Sequence, residues 1–306
     1  MVATGSLAMP EGDTIVYAAR RMRPVLVGHV PDEVRTPQLR HGLDRWPERL
    51  AGRAVTGIRT HGKHLFIQFH GDLTIHSHLR MTGSWAVYEA ARAGQRPASH
   101  PGSPERAGPA SSSWRRSPRR SWLVLTRAGH EVVEFDGPVL ELLTESRIRF
   151  DQRLSGLGPD ILAEVFEADR FLARLRADDH TRGLGDALLD QRIVAGIGNL
   201  WKSEGCWDAA VDPWRPLAQV SDEEALAIVD ALRPRMFESA RTGNQGAGQR
   251  VFRRPGQPCF RCGATILTRA GGLGRSPSGL AKAGPARRHP AGDDNRTTFW
   301  CPGCQH

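Results

Sequence analysis

The sequence is poor in lysine and cysteine, and it has no long apolar segment. Of its 42 basic residues only Lys63, Lys202 and Lys282 are lysine, so each lysine is more informative than a single arginine. No stretch approaches the roughly 20 apolar residues of a membrane-spanning helix, so we expect a soluble protein with no membrane partner. A secretory signal peptide is not recognisable, and only five cysteines are present, which disfavours a disulfide-stabilised secreted domain.

Four of the five cysteines form two matched pairs, Cys259-x-x-Cys262 and Cys301-x-x-Cys304. Four thiolates leave a tetrahedral metal ion no open position, so we predict one structural Zn²⁺ per chain and no organic cofactor. Two disulfides are the weaker alternative, because they leave Cys206 unpaired. A Gly/Pro/Ala/Arg-rich insertion at about 270–292 separates the pairs, and we expect it to loop out without supplying a ligand.

Positive charge is concentrated in two parts of the chain. Residues 233–306 contain 13 basic and 3 acidic residues, and residues 92–120 contain seven arginines and one glutamate. Segregated charge of this kind attracts a polyanion, and nucleic acid is the first candidate. A general abundance of arginine is the alternative explanation, so charge alone does not decide the function.

The first half of the chain reads as one helix followed by β-structure. Apolar residues between Ile15 and Leu26 recur at helical spacing. Short β-rich runs joined by tight polar turns then favour an antiparallel sandwich or flattened barrel; they are 54–60, 64–69, 73–79, 84–88, 122–125 and 131–135. A Pro-, Ser-, Gly- and Arg-rich stretch at about 90–121 is interpreted as a disordered insertion.

Beyond residue 150 the apolar pattern becomes helical. The predicted helices are 161–177, 184–194, 200–207 and 221–242, and the last start is marked by a capping box of Ser221 and Glu224. Between two of them, the turn Ala195-Gly196-Ile197-Gly198-Asn199 could offer helix N-terminal amides to a phosphate. A plain connection between helices is the alternative.

Several short motifs occur in a fixed order along the chain. They are Met9-Pro10-Glu11-Gly12-Asp13, Gly62-Lys63-His64, Asp190-Gln191 through Ile197-Gly198-Asn199-Leu200, and Arg296-Thr297-Thr298 before Cys301-Pro302-Gly303-Cys304-Gln305. Together they resemble the family of bifunctional DNA glycosylases that contains formamidopyrimidine-DNA glycosylase and endonuclease VIII. The resemblance covers the chain apart from residues 1–8 and the two insertions.

The resemblance implies an α+β, multidomain fold. An N-terminal antiparallel β-sandwich would occupy 9–150, a helix-two-turn-helix domain 151–248, and a C-terminal zinc-finger β-hairpin 249–306. The implied partner is double-stranded DNA with damaged bases or abasic sites. We further expect a monomer that is cytoplasmic and associated with the nucleoid.

The resemblance also implies roles for individual residues. Pro10, as an N-terminal secondary amine, would be the nucleophile that forms a Schiff base, and Glu11 the general acid/base. Lys63 would act at the catalytic centre and bind a phosphate. Asn199 and Arg296 would be two further phosphate ligands. Met81 aligns with the loop that fills the space of the extruded base; a buried strand methionine is the alternative.

Two features depart from the family pattern. Eight residues precede Met9, so an active enzyme requires translation to start at Met9 and the methionine to be removed; otherwise the Pro10 nitrogen is an amide. Asp13 and Thr14 replace the Pro-Glu that often follows in the family, and Gly12 favours the endonuclease VIII branch, which acts on oxidised pyrimidines.

Three other functions are alternatives for this sequence. An 8-oxoguanine or formamidopyrimidine-type glycosylase is the alternative within the family. A non-catalytic zinc-finger DNA-binding protein would keep the charge but not need the Pro10 amine. A metal-dependent nuclease would need a cluster of carboxylates to hold its catalytic metal, and we find none of suitable spacing in this sequence.

Overall fold

The computed structural model describes residues 10–89, 114–270 and 297–306. The chain divides into two compact units. The first, the sandwich unit, is Ile15–Ser155. The second, the helical unit, combines the N-terminal residues up to Thr14 with Gly156–His306.

Helix α1, Gly12–Leu26, supplies a buried face to the sandwich unit. Ile15, Ala19, Met22 and Leu26 recur every three or four residues and are almost completely buried. Side chains at this spacing share one face of a helix. The N-terminal helix predicted from the apolar spacing is therefore confirmed.

Two four-stranded antiparallel sheets form the body of the sandwich unit, which confirms the predicted sandwich. The strands are β1 Glu33–Arg35, β2 Val55–His61, β3 His64–Phe69, β4 Leu73–His78, β5 Ser84–Glu89, β6 Ser121–Arg127, β7 His130–Phe135 and β8 Val139–Leu143. The strand orders are β1-β6-β7-β5 and β2-β3-β4-β8. Apolar side chains of both sheets and of α1 make one core, including Leu65, Ile75, Leu123 and Val132.

The sequence analysis missed the shortest elements of this unit. These are β1, β8 and the helices α2 Leu39–Leu43, α3 Trp46–Leu50, α4 Glu145–Phe150 and α5 Gln152–Ser155. The four helices span four to six residues, little more than one turn, and β1 has three residues, so none of these shows a helical or strand period.

Residues 114–121 contradict part of the predicted disordered insertion, because they are packed against the sandwich. The ring of Trp114 lies 5.5 Å from Phe135, and its Nε1 donates a hydrogen bond to Glu131 at 2.7 Å. A 3₁₀ turn, Pro118–Arg120, then leads into β6. The rest of that predicted insertion lies outside the described residues.

The helical unit contains α6 Ala168–Arg176, α7 Leu184–Leu189, α8 Asn199–Asp208 and α9 Asp222–Thr242. Helix α9 begins at the predicted capping box, with Ser221 and Glu224 each bonded to the other's backbone N–H. Two further predicted helices, 161–177 and 184–194, are too long.

Competing hydrogen bonds explain why these two helices are short. The guanidinium of Arg233 takes the carbonyl oxygens of Ile161 and Ala163, so this segment remains irregular ahead of α6. After α7, the carboxylate of Asp190 accepts from the backbone N–H of Arg192 and closes a turn.

The C-terminal part of the helical unit is a two-stranded hairpin. Strands β9 Leu267–Ala270 and β10 Thr297–Trp300 pair antiparallel, with Thr297 opposite Ala270. Ala270 therefore belongs to a strand, whereas the rest of the predicted 270–292 insertion lies outside the described residues. Within the described part of the chain, no helix has the length and apolar character needed to cross a membrane.

Candidate active site

The N-terminal segment from Pro10 to Asp13 is anchored in the helical unit by its backbone. Gly12 donates its N–H to the carbonyl oxygen of Gly196 at 2.9 Å. A Cβ at Gly12 would lie 3.0 Å from the Gly196 Cα, so the close approach of the two chains requires glycine. Pro10, just before this contact, is partly exposed.

The carboxylate of Glu11 caps the N-terminus of α8. Its Oε2 accepts from the backbone N–H of Gly198 at 2.9 Å and of Trp201 at 3.4 Å, and its Oε1 accepts from Leu200 at 2.9 Å. Glu11 is 1% exposed. A helix N-terminus favours an anion because its first amides have no partner within the helix.

This capping corrects one sequence-based expectation. The turn at residues 195–199 was expected to offer free amides to a phosphate, but Glu11 occupies those of Gly198, Leu200 and Trp201. The chain thus supplies its own anion at this helix terminus. Gly198 is required here because a Cβ would lie 2.5 Å from Oε1 of Glu11.

Asp13 adds a second buried anchor that sequence reasoning did not find. Its carboxyl group accepts from the Ser239 hydroxyl at 2.5 Å and from Nε2 of Gln245 at 3.1 Å. Burial raises the pKa of Asp13, and the hydrogen bonds only partly oppose this effect. Asp13 therefore fixes the N-terminal segment against α9 and the residues that follow it.

Asn199, a predicted phosphate ligand, is the first residue of α8, and two groups hold its side chain. Its Nδ2 donates to the carbonyl oxygen of Thr297 at 2.8 Å, and its Oδ1 accepts from Nζ of Lys202 at 2.7 Å. Lys202 also donates to Oγ1 of Thr298 at 2.6 Å. The predicted ligand Arg296 lies outside the described residues, immediately before Thr297.

Lys63 belongs to the sandwich unit, where it lies in the turn between β2 and β3. β2 ends at His61 and β3 begins at His64, so Gly62 and Lys63 form the turn between the two strands. Gly62 has φ 54°, a left-handed conformation that glycine adopts at no steric cost. Lys63 is 8% exposed.

A buried polar chain runs across the sheet from His64. Its Nδ1 lies 2.8 Å from Nε2 of His76, and Nδ1 of His76 lies 3.0 Å from Oε2 of Glu141. Burial, followed by the neighbouring His78 and His76, holds the pKa of His64 well below 6.5. These contacts link β3, β4 and β8 across the sheet.

Met81 lies in the turn after β4 and is 53% exposed. The alternative interpretation of a buried strand methionine is therefore wrong. Gly83 makes the turn possible: its N–H bonds to the Leu79 carbonyl at 3.0 Å, and a Cβ would lie 2.9 Å from that oxygen. An exposed apolar side chain on a tight turn is suited to insertion between bases.

The four predicted cysteine ligands form one cluster. The Sγ atoms of Cys259, Cys262, Cys301 and Cys304 lie within 4.8 Å of one another, and the pairs 259/304 and 262/301 are 3.8 and 3.4 Å apart. A tetrahedron with Zn–S bonds of about 2.3 Å has edges of about 3.8 Å. Across the described ranges, no other cluster of His, Cys, Asp or Glu has a metal-site arrangement.

The surroundings of the sulfur atoms fit a bound cation. Burial opposes ionisation of Cys259, but N–H donors from Arg261 and Trp207 outweigh it and lower the pKa of this thiol to about 6. Burial and the neighbouring thiols raise the pKa of Cys304. Four sulfur ligands at these separations fit a tetrahedral Zn²⁺.

Glu204, also missed from the sequence, connects α8 to the cysteine cluster. Its fully buried carboxylate accepts from the backbone N–H groups of Arg250, Val251 and Phe252 at 2.8 to 3.0 Å, and it pairs with Arg235 at 2.8 Å. The available signal was that Lys202 and Glu204 stand among the apolar residues of this helix, Leu200, Trp201, Cys206 and Trp207.

The structure thus collects the N-terminal segment, Asn199, the start of β10 and the four cysteines in the helical unit. Lys63 and Met81 lie in the sandwich unit. Each unit carries residues on loops or element ends, where binding groups are usually found.

Two domain models match this chain. The formamidopyrimidine-DNA glycosylase N-terminal domain matches residues 9–134, and the formamidopyrimidine-DNA glycosylase H2TH domain matches residues 157–250. Among curated proteins, a probable endonuclease 8 2 from Streptomyces coelicolor is 36% identical over 97% of this chain and 94% of its own length. The DNA-(apurinic or apyrimidinic site) lyase Nei2 of Mycolicibacterium smegmatis is 31% identical over 97% and 99%.

Solved structures show the same fold. Formamidopyrimidine-DNA glycosylase from Lactococcus lactis, non-covalently bound to DNA with an abasic site, superposes with a TM-score of 0.70 at 22% identity, covering 96% of this chain and 99% of that one. With the two matching domains and the identity to endonuclease 8 proteins over nearly the whole chain, the protein belongs to the formamidopyrimidine-DNA glycosylase and endonuclease VIII family.

Proposed function

We propose that the protein is a bifunctional DNA glycosylase and AP lyase of base excision repair that removes oxidised bases, with pyrimidines favoured. The observation that carries the proposal is the docking of the Pro10-Glu11 segment against the first turn of α8. A nucleophile and its neighbouring acid/base need fixed positions, and this anchoring supplies them. The relatives called endonuclease 8 support the choice of pyrimidines.

The chemistry follows from Pro10 and Glu11. A free proline amine attacks C1′ of the damaged nucleotide, the glycosidic bond breaks, the base leaves with its electron pair, and the amine loses its proton. The C1′–O4′ bond then opens with its electron pair on the ring oxygen, and the nitrogen lone pair forms the iminium. The iminium acidifies the sugar C2′ protons, so β- and then δ-elimination cleaves the strand. Glu11 protonates the sugar ring oxygen and moves protons during elimination.

DNA recognition is assigned to residues outside this pair. Lys63 and Arg296 would bind phosphates by charge and Asn199 by its amide, while Met81 fills the space of the extruded nucleotide. The protein would act as a monomer on double-stranded DNA that contains damaged bases or abasic sites. Related proteins were solved with such DNA, which supports this partner.

The four cysteines would hold one structural Zn²⁺ per chain. With four thiolates the ion has no open position, so it would stabilise the hairpin of β9 and β10 and take no part in the reaction. The hairpin strand β10 directly follows Arg296, so the metal would indirectly position that phosphate ligand.

Borohydride trapping on DNA with an abasic site tests this function. Protein that begins at Pro10 should give a covalent adduct, because borohydride reduces the iminium to a stable amine. Pro10→Gly should trap much more weakly, and protein that retains the preceding residues should not trap. Equal trapping by all three forms would exclude Pro10 as nucleophile, and DNA binding without any adduct would identify a non-catalytic binder.

A further inference from the structure

Lys202 is a fully buried lysine that the proposed chemistry does not use. It lies on α8 and is 1% exposed, and the space for its aliphatic stem is left by Gly185, where a Cβ would come within 3.4 Å of its Cδ. Removing an ammonium group from water costs several kcal/mol unless polar contacts compensate. Its contacts therefore indicate what this group does.

The ammonium group joins two parts of the helical unit. Nζ donates to Oδ1 of Asn199 at 2.7 Å, in the first turn of α8, and to Oγ1 of Thr298 at 2.6 Å, in β10. The segments are almost a hundred residues apart in the chain. Lys202 is thus a direct connection between the helix terminus and the hairpin strand.

The same contact fixes the orientation of the Asn199 amide. An ammonium group only donates, so the Asn199 atom that faces it must be the oxygen. The nitrogen Nδ2 then points to the Thr297 carbonyl, 2.8 Å away, and uses one of its two hydrogens there. The second hydrogen is the donor that a phosphate oxygen would use.

We propose that Lys202 is a positioning residue for DNA binding: it sets the amide of Asn199 and holds it in register with Thr298 of β10. The proposal rests on the proposed function, because it takes Asn199 as a phosphate ligand. Lys202 itself would not contact DNA. Loss of its donors would free the amide to rotate and would release β10 from the first turn of α8.

A double-mutant cycle tests this role, with binding of a duplex that carries a tetrahydrofuran abasic-site analogue as the readout. Lys202→Met keeps the stem and removes the donors. Lys202→Met and Asn199→Ala should each weaken binding about tenfold, and the double variant should also lose about tenfold instead of a hundredfold. Lys202→Arg should restore most of the binding.

Controls separate positioning from a general loss of structure. Zinc content and melting temperature are measured for every variant, and Arg176→Gln, which removes a cation elsewhere in the helical unit, should leave binding unchanged. If Lys202→Met does not fold, Thr298→Val replaces it in the cycle, because it removes the second acceptor of Lys202 and keeps the side-chain volume.

The possible results decide the matter in either direction. A hundredfold loss in the double variant, or no loss in Lys202→Met, overturns the positioning role, and additive losses in the Thr298→Val cycle do the same. Borohydride trapping by the wild-type protein is measured in parallel. If the wild type traps and the cycle is additive, only the Lys202 proposal fails; if the wild type neither binds nor traps, the proposed function fails with it.

Discussion

At the scale of single residues, the contacts of Glu11 give it two tasks that one substitution cannot separate. Glu11→Gln would place an amide nitrogen, a donor, against backbone N–H groups that also donate. We expect loss of base excision together with a destabilisation of about 1 to 3 kcal/mol. Excision assays on damaged duplex DNA and thermal unfolding of the same protein measure the two effects.

Glu238→Gln provides the matched control, because Glu238 is an exposed carboxylate on α9 that pairs with Arg241. It should change neither quantity. Excision at the wild-type rate by Glu11→Gln would contradict the acid/base role, and unchanged stability would contradict the capping role.

The buried carboxyl of Glu134 makes the sandwich unit sensitive to pH. Among the residues that the structure describes, only Ser77 donates to it, at 2.5 Å, and none of them bonds to its Oε2. Burial raises the pKa of Glu134 from 4.5 to about 8. Between these values the folded protein keeps a proton that the unfolded chain releases, so stability falls as pH rises through this window.

Glu134→Gln removes this titration and should flatten the dependence of the free energy of unfolding on pH. The free energy of unfolding of this variant, relative to that of the wild type, should rise by roughly 2 to 4 kcal/mol between pH 5 and pH 8. Urea unfolding at the two pH values measures the gain, with Glu33→Gln at an exposed position as the control. Parallel stability curves for Glu134→Gln and wild type would show that Glu134 is charged in the folded protein.

Residues that form local motifs could be identified from the sequence, whereas their distant partners could not. The cysteine pairs, Pro10-Glu11 and Lys63 stand in short recognisable patterns. Asp13 with Ser239, and Lys202 with Thr298, are brought together only by folding across 226 and 96 residues. Spacing along the chain carries no information about such pairs.

At the scale of secondary structure, the turn into α8 depends on a glycine. A Cβ at Gly198 would overlap the carboxyl group of Glu11. Gly198→Ala should therefore displace Glu11 and reduce the rate of borohydride trapping at least tenfold. A rise of about 1.4 kcal/mol in the activation free energy is enough for a tenfold loss of rate. Trapping rates on abasic-site DNA measure this effect.

Gly246→Ala is the corresponding control, since the nearest atom to a Cβ there is 3.9 Å away. It should trap like the wild type. Full trapping by Gly198→Ala would mean that Glu11 need not cap α8 for the reaction.

The hairpin of β9 and β10 ends immediately before the ligand Cys301 and should depend on the metal. Removal of zinc, or Cys301→Ser, should disorder this hairpin before the rest of the helical unit unfolds, because a four-thiolate site contributes folding free energy directly. DNA binding should be lost with it. Zinc quantification and hydrogen exchange at Thr297–Trp300 measure this change.

Cys206→Ser tests a cysteine outside the cluster. Burial raises the pKa of the Cys206 thiol to about 12, so it remains a neutral core side chain, and this variant should retain zinc. Active protein with no bound metal would overturn the zinc assignment.

Element prediction succeeded where a segment was long enough to show its period. Helix α9 and strands β3 to β7 were found, and the start of α9 was marked by its own capping residues. Helices α6 and α7 were overestimated, because side chains of Arg233 and Asp190 take the hydrogen-bonding groups that a longer helix would use.

At the scale of the whole molecule, DNA affinity should depend on salt through a few identifiable charges. Lys63→Ala and Arg296→Ala should each lower the slope of log affinity against log salt by about one, because each removes one phosphate contact. Asn199→Ala should weaken binding at an unchanged slope, since its amide carries no charge. Fluorescence anisotropy across a salt series gives these slopes.

Arg127→Ala serves as the comparison, because this arginine pairs with Asp32 on the surface of the sandwich unit. A slope that does not change for Lys63→Ala or Arg296→Ala would remove that residue from the phosphate contacts. The positive charge of residues 233–306 alone could not identify the phosphate ligands, since arginine is abundant throughout the chain.

The capping of α8 by Glu11 also has a consequence for biosynthesis. Glu11 leaves the ribosome among the first residues, but its partners Gly198 and Leu200 follow 187 and 189 positions later. At 5 to 20 residues per second, roughly 10 to 40 s pass before they can meet. A nascent chain that stalls before this point would carry the nucleophile without its support, so the ability to cut DNA would arise only after the start of α8 has been synthesised.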